Sequence, residues 1–126
     1  MIRIVIADDH EVVRHGVHAV LAVQPDWEVV GDAEDSARAL ALVETHRPDL
    51  LITDLSMPGL SGNELTARVS AMGHTRVIVF SMHASAEHVL RALKAGAMGY
   101  VVKASGVMDL VEAVRSVAAG RRYVSP

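Results

Sequence analysis

Two adjacent acids, Asp8 and Asp9, close a short β-branched run, and Asp54 closes a nearly unbroken apolar one, DLLITD (49–54). Further along, RVIVFS (76–81) ends in the hydroxyl of Ser81, and GYVVK (99–103) ends in the ammonium of Lys103. Singly, each residue has a plain structural reading. An aspartate after a strand most often caps a helix or opens a turn, and a lysine there is usually a solvated charge. Together they form a set with chemistry. Three clustered carboxylates repel one another unless a cation compensates. Oxygen ligands in that number suit Mg²⁺, which keeps several waters and is held by one or two carboxylates plus phosphate oxygens. With no cysteine, and no histidine evident at the strand ends, zinc is disfavoured. A carboxylate beside Mg²⁺, facing an ammonium and a hydroxyl, is the arrangement required for phosphoryl transfer onto an aspartate. The cations neutralise the equatorial oxygens while the carboxylate attacks in line.

That chemistry requires all five residues to share one edge of the molecule, and the order of elements supplies one. Strands are expected at 3–7, 27–33, 49–54, 76–81 and 99–103, each followed by a segment with helical spacing of apolar residues. The helices are expected over Glu11–Ala22, from Ser36 to before Pro48, Glu64–Met72, Glu87–Ala95 and Val107–Ala119. Gly96 and Gly120 fall where left-handed C-caps favour glycine. Five strands alternating with five helices imply an α/β fold, a doubly wound parallel sheet covered on both faces. The apolar inner strands agree with that burial. In such a sheet, functional groups collect at the carboxyl ends of the strands, near the switch in strand order.

Composition narrows the class. The 126 residues suit one domain, and 51% hydrophobic with 21% charged residues is ordinary for a globular chain. Aromatics are only 3%, so the core is built from aliphatic residues and methionine. A formal charge of −3 gives no basic footprint for nucleic acid, so this segment is not expected to touch DNA itself. Cysteine is absent, which removes disulfides and thiolate metal sites. Neither a leader-like run nor a stretch of membrane-spanning length appears, and a soluble, cytoplasmic protein is expected. There is no G-x-G-x-x-G or P-loop, and the acidic turn after the first strand would repel a pyrophosphate.

The acidic pair Asp8/Asp9, the loop Asp54-x-x-Met57-Pro58-x-x-x-Gly62, Ser81, Tyr100 and Lys103 resemble the receiver domains of two-component response regulators. Ser81 lies 27 residues after Asp54, and Lys103 lies 22 after Ser81, spacings that fit the family. The resemblance covers residues 2 to about 120 and implies a flavodoxin-like sheet of order 2-1-3-4-5. It implies that Asp54 accepts a phosphoryl group from a sensor histidine kinase, and that the domain assists only its own phosphorylation and dephosphorylation. Asp9 would bind Mg²⁺ directly, Asp8 mainly through water, and Asp54 and the Ser56 backbone carbonyl would complete the protein ligands. Lys103 would contact the phosphoryl group, and the Ser81 hydroxyl would move toward it together with a rotamer change of Tyr100. Pro58 and Gly62 would shape the loop. A plainer reading makes Tyr100 a strand aromatic packed on the last helix.

The phrases IADDH, SMH, KAGAMGYVVK and GRRYVSP are most similar to the NarL/FixJ subfamily of bacterial transcription regulators. That implies a receiver over residues 1–120 and, from 121 to 126, the start of a linker to a LuxR-type helix-turn-helix domain outside this chain. Homodimerisation on phosphorylation follows from the same resemblance, with DNA contacted only through the second domain. Two departures stand out. Ala104 follows Lys103 where many receivers have a proline after a cis bond, and position 81 is serine rather than threonine. His83 and Met82 fall where family members place residues that influence access to the phosphoryl group. His15 and His18, at helical i, i+3 spacing, are not expected to form a metal site, and Gly16 inside a helix is compatible with close packing. Competing readings are a stand-alone receiver, an unphosphorylated pseudo-receiver that only binds partners, and a Mg²⁺-dependent aspartyl-phosphate phosphatase. The last needs a second acid two residues after the nucleophile, where this chain has Ser56.

Overall fold

A computed structural model of the chain describes residues 1–125. Strands and helices alternate: β1 (Ile2–Ala7), α1 (Glu11–Ala22), β2 (Trp27–Ala33), α2 (Ser36–His46), β3 (Leu50–Thr53), α3 (Gly62–Met72), β4 (Arg76–Ser81), α4 (Ala86–Ala95), β5 (Gly99–Val102) and α5 (Val107–Ala118). A two-residue strand, β6 (Tyr123–Val124), follows. The sheet is parallel throughout, in the order β2-β1-β3-β4-β5-β6.

Side-chain alternation along the strands divides the core between the two faces. Ile4 and Ile6 point to α1 and α5, where they meet Val17, Leu21, Val111 and Val114. Val5 and Ala7 point the other way, to Ala39, Leu42 and Val43 of α2 and to Leu65 and Val69 of α3. Every residue of β3 is buried, because its faces are covered by helices on both sides. Three helices begin on polar caps: Asp35, Ser61 and Ser85 accept from the backbone N–H of Arg38, Glu64 and His88 at 2.8, 3.2 and 3.3 Å. The Ser61 cap starts α3 at Gly62, two residues before the apolar pattern indicates. Gly96 closes α4 in the left-handed conformation (φ 114°).

Three details differ from or sharpen the sequence reading. The sheet gains β6 among residues read as linker: Tyr123 donates to the Met98 carbonyl (3.0 Å) and Ser125 to the Tyr100 carbonyl (2.9 Å). Pro126, the last residue of that linker, lies outside the described residues. Gly16 faces open space: a Cβ at this position would meet nothing within 4 Å, so close packing does not select glycine and nothing else in the structure explains it. His15 and His18 lie near Glu11 (3.9 Å) and Asp32 (3.8 Å), and neither joins a group of metal-ligating side chains among the described residues. No helix of the described residues is long and apolar enough to cross a membrane.

Candidate functional site

Strand register brings the chemical residues to one edge. Ala7 pairs with Thr53, which sets Asp8 beside Asp54, and Ser81 pairs with Val102, which leaves Lys103 one residue beyond it. The ladder runs on past the strand ends: Asp8 N–H donates to the Ala33 carbonyl (3.0 Å) and Asp54 N–H to the Ala7 carbonyl (3.1 Å). Both acids are therefore held by main-chain bonds on the central strands. Asp8 and Asp54 are 3% and 5% exposed, an unusual depth for carboxylates.

Lys103 compensates them. Its Nζ lies 2.8 Å from Asp8 Oδ2 and 2.9 Å from Asp54 Oδ2. Burial works against the ammonium charge, but the hydrogen bonds to Asp8 and then Asp54 outweigh it, so its pKa lies above that of an ordinary lysine. The second oxygen of Asp54, Oδ1, accepts from Leu55 N–H at 2.7 Å. Thr53 Oγ1 donates to the Asp54 carbonyl (2.9 Å), which fixes the turn out of β3. Lys103 opens a one-turn 3-10 helix, Lys103–Ser105, and the Lys103–Ala104 peptide is trans.

The loop after Asp54 is tied down at Pro58, whose carbonyl accepts from the backbone N–H (3.2 Å) and the hydroxyl (3.3 Å) of Ser36. Gly62 is the first residue of α3 rather than a loop residue. A Cβ there would stand 2.5 Å from Leu55 Cα and 2.7 Å from the Asp54 carbonyl, so only glycine lets α3 start against the acid's own backbone. Ser56 is exposed in this loop, two residues past Asp54.

Ser81 and Tyr100 sit on neighbouring strands, both fully buried. Ser81 Oγ accepts from His83 N–H (3.1 Å), and Tyr100 donates its hydroxyl to the His83 carbonyl (2.7 Å). Ser81 makes no hydrogen bond to Asp54 among the described residues. Tyr100 packs with Val79, Ala92 and Ala97, and hence against α4 rather than against the last helix as its plainer reading has it. Burial pushes its phenol above the ordinary value; the Ser81 hydroxyl opposes this and the Asp54 charge adds to it. His83 also stacks on His88, with ring centroids 4.2 Å apart, while Met82 beside it is 70% exposed.

Asp9 is exposed at the rim, and the residue that sequence reading missed stands next to it. His10 Nδ1 lies 3.2 Å from Asp8 Oδ1 and 3.3 Å from Asp9 Oδ1. The ring is at the strand end after all, because the His10 backbone N–H turns back to donate to Asp8 Oδ1 (2.9 Å). The adjacent position in IADDH was the only available signal. One ligand atom from each of Asp8, Asp9, His10 and Asp54 lies within 4.8 Å of the others. Three carboxylates so placed, with a single lysine bridging two of them, fit a hard divalent cation.

These features define a domain whose identity is independently given by its relatives. Residues 4–115 match the family of the response regulator receiver domain, and the chain belongs to that family. It is 41% identical to the transcriptional regulatory protein DegU of Brevibacillus brevis, over 99% of this chain and 53% of that protein. It is 45% identical to the oxygen regulatory protein NreC of Staphylococcus epidermidis, over 97% of this chain and 57% of that protein. A solved LuxR-family two-component response regulator from Aurantimonas sp. SI85-9A1 superposes with a TM-score of 0.93 at 38% identity, covering 98% of this chain and 89% of that one. Within its family the chain is thus a receiver domain similar to those of NarL- and LuxR-type two-component response regulators, a signalling module. It spans about half the length of the curated relatives it matches.

Proposed function

We propose that this receiver is a phosphorylation switch in which Asp54 accepts a phosphoryl group from a phosphohistidine of a sensor histidine kinase. The observation that carries this reading is Asp54 itself: 5% exposed, fixed on the central strand, with one oxygen on Lys103 and the other on Leu55 N–H. An Asp54 oxygen forms the new bond to phosphorus as the phosphorus–nitrogen bond of the donor breaks. Lys103 stays against the transferred group and neutralises a phosphoryl oxygen in place of the carboxylate. Asp8, Asp9, Asp54 and the Ser56 carbonyl would hold Mg²⁺, which supplies further positive charge against the phosphoryl oxygens when bound.

The modification adds roughly −1.5 to −2 of charge at the carboxyl edge. Ser81 gives up His83 N–H to donate toward the new oxygens, and Tyr100, bonded to the same residue's carbonyl, moves with it. The face of α4, β5 and α5 then changes, and with it homodimerisation and contact with a DNA-binding domain. The greater length of the curated relatives points to that domain, and the connection to it would follow β6. The whole acts in the cytoplasm.

The test is incubation with Mg²⁺ and a small acyl-phosphate donor, read by intact mass. Wild type gains one phosphoryl group that hydroxylamine removes, and Asp54→Asn gains none. Equal labelling of both proteins, or of neither, overturns the reading.

A further inference from the structure

The ring of His10 has no part in that mechanism, yet it points into the same acidic centre. Its Nδ1 is nearly equidistant from Asp8 Oδ1 (3.2 Å) and Asp9 Oδ1 (3.3 Å). One N–H proton can be aimed at only one of those oxygens. A nitrogen midway between two carboxylates is placed as well to share a cation with them. The two oxygens of Asp8 are divided between partners: Oδ2 takes Lys103, while Oδ1 faces His10. Lysine and imidazole therefore do not compete for the same lone pairs, and the His10 side of the centre faces outward, with the ring 66% exposed.

We infer that His10 is a fourth side-chain ligand of the metal centre, and that it shifts the centre's preference from Mg²⁺ toward a divalent transition ion such as Mn²⁺ or Co²⁺. The inference rests on reading Asp8, Asp9 and Asp54 as metal-holding residues. Opposite ligands of an ion bound at 2.0–2.1 Å stand about 4.2 Å apart. The ligand atoms of Asp8, Asp9, His10 and Asp54 lie within 4.8 Å of one another, close to that span. Mg²⁺ is a hard ion that keeps its waters and gains little from imidazole, whereas first-row transition ions bind imidazole well and follow the order Mn²⁺ < Co²⁺. The donor set is thus oxygen-rich with one nitrogen, which selects by chemistry rather than by cavity size.

The test uses Mn²⁺ and Co²⁺ as probes on wild type, His10→Gln and Asp9→Asn. In pulsed electron paramagnetic resonance, Mn²⁺ bound to wild type shows ¹⁴N modulation from a coordinated imidazole, and His10→Gln lacks it while still binding Mn²⁺. In calorimetric titration, His10→Gln loses at least roughly tenfold in Co²⁺ affinity, the loss typical even of an outer partner of a metal ligand. Its Mg²⁺ affinity stays within about twofold, given the weak pull of imidazole on that ion. Unchanged ¹⁴N modulation and an unchanged Co²⁺-to-Mg²⁺ ratio in His10→Gln overturn the inference and leave His10 a hydrogen-bond donor to its neighbours. If Asp9→Asn also binds every ion as wild type does, the carboxylate centre itself is wrong, which separates the two failures.

Discussion

The two ends of one sheet handle charge in opposite ways. At the amino end, two arginines are taken up by fixed partners. Arg3 N–H donates to Asp49 Oδ2 (2.8 Å), and the Arg3 guanidinium donates to the His46 carbonyl at the C-terminus of α2. Arg76 donates to the Val117 and Ala118 carbonyls at the C-terminus of α5, at 2.9 and 3.3 Å. Cations there complement the negative ends of helices. A groove of about 500 Å³ is lined by Asp49, His74 and Arg76, but among the described residues no three acids or histidines converge in it. At the carboxyl end, the buried acids Asp8 and Asp54 share one lysine, and the exposed Asp9 stands beside them without it. The same strands thus end in a structural clasp on one side and in unbalanced negative charge on the other. That surplus costs stability and is what a divalent cation can use.

The contrast is open to attack by mutation. The largest effect is expected from Lys103→Met, which leaves two buried carboxylates uncompensated and lowers unfolding stability by about 3–5 kcal/mol without metal. Urea denaturation measures it, and added Mg²⁺ should restore part of the loss. A variant as stable as wild type would show that the carboxyl end carries no surplus charge. Next comes Gly62→Ala, whose Cβ would meet backbone at 2.5 and 2.7 Å. It should cost about 2–3 kcal/mol and slow phosphoryl incorporation, because relief requires moving Asp54 or Leu55.

Arg76→Ala at the opposite end should cost only about 1 kcal/mol, the worth of an exposed cation on a helix C-terminus. Phosphoryl incorporation should be unchanged; a change there would break the separation of the two ends.

Sequence carried the carboxyl end further than the amino end, for a physical reason. Asp54 and Lys103 terminate apolar runs, so their placement follows from strand register that burial of both faces enforces. Arg3 and Arg76 look like ordinary surface charges, because their partners are backbone carbonyls of helices distant in sequence. The same nonlocality hid β6. Its two residues have no periodicity of their own and are held by Met98, Tyr100 and the side chain of Asp109. Tyr100 was visible as a switch candidate, but its direction toward α4 depends on strand parity that a short run leaves open. The role of His10 depends on a backbone turn onto Asp8, which spacing does not encode.

The smallest expected effect concerns β6. The hydrogen bond to Asp109 and, after it, burial push the Tyr123 phenol up to about 12. A pKa raised on folding favours the protonated form, so its contribution is complete below the ordinary tyrosine value of about 10. It fades as pH rises from there through about 12. The stability gap between wild type and Tyr123→Phe should therefore shrink across that window in denaturation at stepped pH. A gap that stays constant would mean Tyr123 does not tether β6 to α5.

The most direct measurement locates the phosphoryl group. Borohydride reduction of the phosphorylated protein converts an aspartyl phosphate to homoserine, and peptide sequencing by mass spectrometry finds its position. The expected result is homoserine at Asp54 alone, with Asp8 and Asp9 intact. Homoserine at Asp8 or Asp9, or none in a protein that has gained phosphate, would contradict the assignment of Asp54 as the acceptor.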